Sequence, residues 1–141
     1  MTNRRRAAKV AAGIAMTLAA VALMAPAALG RGSTTKVGSC SISEPPPAPC
    51  EVSGQAAHKP TAVIFSISTT PDQAFISRNT VACVNPNGQE FDGGGSFNGS
   101  GDAHKVLKIP RRLHVTKCHI YARAALKDHS GHLKMVVKAR H

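Results

Sequence analysis

The sequence predicts an all-β chain: a small antiparallel β-sandwich, immunoglobulin-like in layout, preceded by a Pro-rich irregular arm. Three observations predict it. Short apolar runs alternate with polar residues at a period of two and are separated by Gly, Pro, Asn and Asp turn signals. No part of the chain beyond its first thirty residues has the pattern of a good helix. Four cysteines, Cys40, Cys50, Cys83 and Cys118, follow an export-type leader, and an even count in a small exported chain reads as two disulfides. At 141 residues and 43% hydrophobic, the chain is too short for two ordinary domains and too apolar to be wholly disordered.

Residues 1–27 read as a secretory signal peptide, which places the protein outside the cell. Arg4, Arg5, Arg6 and Lys9 form a basic head, Val10 to Ala25 carries no charge, and Ala25-Pro26-Ala27 offers the small residues of a cleavage site. Cleavage there removes four cations and takes the formal charge from +11 to +7. Residues 28–60 read as the irregular arm, because Pro45-Pro46-Pro47-Ala48-Pro49 favours polyproline II and forbids helix.

The sandwich is expected over residues 61–141. Val63, Phe65 and Ile67 mark its first strand, and Thr70-Pro71-Asp72 the turn that ends it. Phe75-Ile76 and Asn79 to Val84 are further extended pieces. Asn85-Pro86-Asn87-Gly88 reverses the chain into a short return at Gln89 to Phe91. Gly93 to Gly101, with five glycines in nine residues, reads as a loop. Lys105 to Ile109 alternates again. Cys118, Ile120, Ala122, Ala124 and Leu126 then share one face of a strand. Leu133, Met135, Val137 and Ala139 share one face of the last strand, and Asp128-His129-Ser130-Gly131 is the turn between the two.

Three disulfide pairings are possible. The expected one is Cys40–Cys50, bracketing the Pro-rich loop, with Cys83–Cys118 joining two strands and tying the two sheets together. On a loop-entropy basis these contribute about 3 and about 4 kcal/mol.

Charge is concentrated at the carboxyl end. Residues 104–141 hold ten Lys and Arg against Asp128 alone. If the last two strands form a hairpin, their outward residues crowd one sheet surface: Lys117, His119, Tyr121, Arg123 and Lys127 from the first, Lys134, Lys138 and Arg140 from the second. A four-residue turn sets Ala125 opposite Lys134, Arg123 opposite Val136, Tyr121 opposite Lys138 and His119 opposite Arg140, so no two permanent cations face each other. This surface is the expected binding site for an anionic polymer or cell-wall component. Nucleic acid is the weaker partner, because only Tyr121 offers a stacking ring and no nucleic-acid motif is present. A membrane is met only through the amino-terminal segment, where that segment is left uncleaved.

Cys40-Ser41-Ile42-Ser43-Glu44-Pro45-Pro46, closed by Cys50, suggests a different function. Over these eleven residues the chain resembles the reactive loop of Bowman–Birk-type serine protease inhibitors. The resemblance implies an inhibitory loop at Ser41, Ile42 and Ser43, with Ile42 as the specificity residue and Ile42–Ser43 as the scissile bond. A short ring stiffened by prolines has little entropy left to lose on binding. A structural role in an envelope layer, with no ligand, is the third expectation. No Gly-x-Ser-x-Gly, no Cys-x-x-Cys and no paired-carboxylate site occurs, so the chain is read as non-catalytic, without cofactor or metal.

Overall fold

The computed structural model describes residues 32–43, 48–128 and 130–141. The expected signal peptide and the run Glu44 to Pro47 lie outside the described residues. Eight strands are formed: β1 (Thr34–Ile42), β2 (Cys50–Ala56), β3 (Ala62–Thr70), β4 (Ala74–Val84), β5 (Glu90–Ser100), β6 (Ala103–Lys108), β7 (Lys117–Leu126) and β8 (His132–Arg140). They make two four-stranded antiparallel sheets. Sheet I runs β1-β8-β3-β6 and sheet II runs β2-β7-β4-β5.

This is the all-β sandwich that the alternation predicts, with a different topology inside it. The pairs β4–β5, β3–β6, β2–β7 and β1–β8 nest one inside the next. The chain is therefore one long antiparallel hairpin, turned at Asn85–Gly88 and rolled into two sheets, which is a jelly roll and not the expected immunoglobulin-like order. Only the β4–β5 connection stays within a sheet. Its turn is fixed by the Gly88 amide donating to the Asn85 carbonyl at 3.1 Å, and by Asn85 Oδ1 accepting from the amides of Asn87 and Gln89.

Three further expectations are corrected. The arm over 28–60 is not irregular throughout, since β1 and β2 lie within it and supply one strand to each sheet. The Gly-rich stretch is not a loop. All of it except Gly101 belongs to β5, which pairs with β4 along its whole length. Most consequential, β7 and β8 do not pair. β7 belongs to sheet II, between β2 and β4, and β8 to sheet I, between β1 and β3. None of the cross-strand pairs expected for that hairpin forms. The physical reason is that a period of two decides which side chains face inward, but not which sheet receives them. A hairpin and an arch between sheets bury the same set.

That buried set is the predicted one. Leu133, Met135, Val137 and Ala139 of β8 face Cys118, Ile120, Ala122, Ala124 and Leu126 of β7 within one core, joined by Val63, Phe65, Ile67, Phe75 and Val81. Phe75 is fully buried and meets Phe97 edge to face at 5.6 Å between ring centroids.

Both expected disulfides form, with their roles exchanged. Cys40–Cys50 links β1 to β2 and so ties sheet I to sheet II, whereas Cys83–Cys118 joins register partners on β4 and β7 inside sheet II. Beside Cys40–Cys50 the two sheets approach closely. A Cβ on Gly38 would stand 2.6 Å from the Val52 side chain, and one on Gly54 2.7 Å from that of Val37.

Candidate functional site

Alternation along each strand of sheet I sends one residue in two outward, and the ladder lines those residues up in rows. The first row is Thr34, Arg140, Ala62 and Lys108. The second is Lys36, Lys138, Ile64 and Val106, the third Ser39, Val136, Ser66 and His104. The fourth holds Ser41, Lys134 and Ser68, and His132 lies beyond it opposite Thr70. Five permanent cations thus share this face: Lys36, Lys108, Lys134, Lys138 and Arg140. The four strands of sheet I contain no carboxylate at all.

The apolar positions between them differ in exposure, with Val106 exposed and Ile64 half-buried. Ala62 lies on this outer face, yet it is only 4% exposed, flanked in register by Arg140 and Lys108. Lys36 and Lys138 stand directly opposite each other, an arrangement that destabilises a sheet unless something relieves the repulsion. At one end the face dips into a depression of about 360 Å³ whose lining includes Ser66, Ser68, Asp102, His104 and Lys134. Hydroxyls beside a lysine and an imidazole offer hydrogen-bond donors to an anion.

Sheet II has the opposite character. Its outer face carries Lys117 and Arg123 of β7 and Arg78 of β4, set against Glu51 of β2 and Glu90 and Asp92 of β5. Positive and negative charges balance there. Glu51 lies 3.6 Å from Arg123 Nε and accepts the Tyr121 hydroxyl at 3.0 Å. That hydrogen bond, with smaller contributions from desolvation and the Glu51 charge, raises the Tyr121 pKa above its ordinary value, while Arg123 acts the other way.

The expected anion-binding set is therefore divided. Lys134, Lys138 and Arg140 lie on the outer face of sheet I, while Lys117, His119, Tyr121 and Arg123 lie on that of sheet II, with Lys127 just past the end of β7. A single surface holding all eight does not exist, because the two strands that carry them belong to different sheets. In their place the fold brings Lys36 and Lys108 beside Lys134, Lys138 and Arg140. Lys108 was visible as an outward position next to Leu107 and Ile109. Lys36 was hidden in a segment whose Ser, Thr and Gly content gives little strand signal.

The inhibitory loop also looks different in place. Ser41 and Ile42 are the last residues of β1, paired with Lys134 and Leu133. Ile42 is half-buried and packs against the core instead of standing out for a protease pocket. Among the described residues no helix is long and apolar enough to cross a membrane. No protein-family model matches the chain, and no curated protein is significantly similar to it in sequence.

Proposed function

We propose that this is an exported, non-catalytic binding protein that holds an extended anionic polymer, an acidic polysaccharide or wall polymer, on the outer face of sheet I. One observation supports the reading above others: five cations on the outer face of a four-stranded sheet whose strands hold no carboxylate, backed by a sheet whose own charges cancel. Net charge alone predicts a diffuse attraction for anions. Segregation onto one face predicts an oriented one. The leader-like residues 1–27 and the two disulfides support export. Jelly rolls serve as capsid, lectin and cupin domains alike, so the fold itself selects no function.

The test is retention of the protein on a polygalacturonate resin under a salt gradient. Five phosphate-like contacts give roughly a 10²- to 10³-fold fall in affinity for a fourfold rise in salt, by analogy with counterion release from nucleic acid. The double variant Lys134→Glu/Lys138→Glu is expected to elute at much lower salt than the parent. Arg78→Glu/Arg123→Glu, which changes net charge by the same amount on sheet II, is expected to elute with only a small shift. Equal shifts for the two variants would reduce the interaction to bulk charge and remove the sheet I site.

A further inference from the structure

We propose that the groove at one end of the sandwich, between the β2–β3 and β6–β7 connections, binds a single six-membered ring bearing one carboxylate. The groove has a volume of about 280 Å³, at the small end of ligand pockets, which suits one ring. Pro60 and Pro110 form its rigid walls. Ile109 and Val115, each 4% exposed, supply apolar surface, while Lys59, Arg111 and His114 supply positive charge or hydrogen-bond donors. No carboxylate lines it. A bare inorganic anion leaves the apolar surface unused, and an uncharged ring leaves the cations unused. A ring carboxylate uses both, and the planar guanidinium of Arg111 matches a carboxylate in bidentate fashion.

The groove is also held open by hydrogen bonds independent of any ligand. The Lys59 amide donates to the Thr116 carbonyl at 3.3 Å, and the Ile109 amide to the Thr61 carbonyl at 2.9 Å. The turn at Arg111–Leu113 is pinned from beneath by buried Asn85, whose Nδ2 donates to the Leu113 carbonyl at 3.0 Å. Backbone strain collects at the same place. Among the described residues the non-glycine residues with positive φ are His58 (61°), Lys59 (58°) and His114 (47°), and the last two line the groove. Such residues persist where surrounding structure enforces them, and they gather at ligand sites. This site stands apart from the outer face of sheet I and does not depend on that reading.

The experiment is an amide chemical-shift titration of the full disulfide-bonded chain with benzoate and with glucuronate, using glucose, acetate and inorganic phosphate as comparisons. Saturable shifts at Lys59, Thr61, Ile109, Arg111 and Val115 are expected with a ring carboxylate, the tighter of the two separating an aryl from a sugar acid. Loss of one charge-assisted partner in Arg111→Ala, on an exposed turn, is expected to weaken binding about tenfold or more. Lys134→Glu/Lys138→Glu is expected to leave it unchanged. Acetate or phosphate binding as tightly as the ring acids would overturn the proposal, as would the absence of saturable shifts with both acids.

Discussion

Tyr121 is the only tyrosine in the chain and no tryptophan accompanies it, so its ionisation can be followed without interference. Its hydroxyl donates to Glu51 across the β2–β7 ladder, where the carboxylate favours the protonated phenol. The folded protein then keeps this proton at pH values where the unfolded chain has begun to lose it. Any resulting stabilisation is fully present below the unfolded-state pKa and disappears as pH rises through the folded one. An alkaline absorbance titration should place the tyrosinate transition higher in the folded protein than in urea. In Glu51→Ala the folded transition should move down towards the unfolded position, and an unmoved transition would mean that the hydrogen bond does not persist in solution. Gly94 makes a second residue-scale case. At φ 145° it sits against β4 so closely that a Cβ would overlap the Asn79 carbonyl oxygen, a backbone atom that cannot swing aside. Gly94→Ala should therefore destabilise by about 2 kcal/mol or more in denaturant unfolding. A change below about 0.5 kcal/mol would contradict the β4–β5 register at this point.

At the scale of elements, the two disulfides brace different things. Cys83–Cys118 joins strands already held together by a continuous ladder, while Cys40–Cys50 joins edge strands of separate sheets across a short connection. Loop entropy alone ranks the longer loop higher, at about 4 against about 3 kcal/mol. Removing the pair Cys83/Cys118 as Ala should accordingly cost more global stability. Removing Cys40/Cys50 as Ala should instead release β1 and β2 locally, seen as faster amide exchange along those strands while the rest of the sandwich keeps its protection. Uniform loss of protection in both variants would count against this division. The pairing of the cysteines was legible in the sequence, and so were the inward residues of β3, β7 and β8, because period-two alternation encodes burial directly. The sheet each strand joins was not legible. Asp128–Gly131 has the length and composition of a hairpin turn, yet the strands on either side of it belong to different sheets. β5 was missed because its inward positions include Gly93, Gly95 and Gly99, which carry no apolar signal, although its backbone pairs with β4 throughout. The candidate site inherited the first error, since half of its expected cations were assigned to the wrong face.

For the whole molecule, the division of charge between the sheets carries a cost in stability. On sheet I, Lys138 faces Lys36 across the β1–β8 ladder, and Arg140 follows two residues along the same strand. Same-strand neighbours of this kind lie about 7 Å apart, within the ~8 Å screening length at physiological salt, so much of their repulsion survives. The unliganded protein is therefore less stable than it could be, and added salt should stabilise it by screening. Lys36→Glu converts the opposed pair into an attractive one at an exposed site. It should raise stability by about 0.5–1 kcal/mol in urea unfolding and should reduce the stabilisation gained from salt. The same substitution removes one of the five cations of the proposed polymer-binding face and should weaken retention on the polygalacturonate resin. Gain of stability together with loss of binding is the signature of charges kept in place for a partner. A Lys36→Glu protein that binds as before would mean that β1 lies outside the contact surface. One that is less stable than the parent would mean that the cations on this face do not repel one another, which removes the energetic reason to expect an anionic partner there.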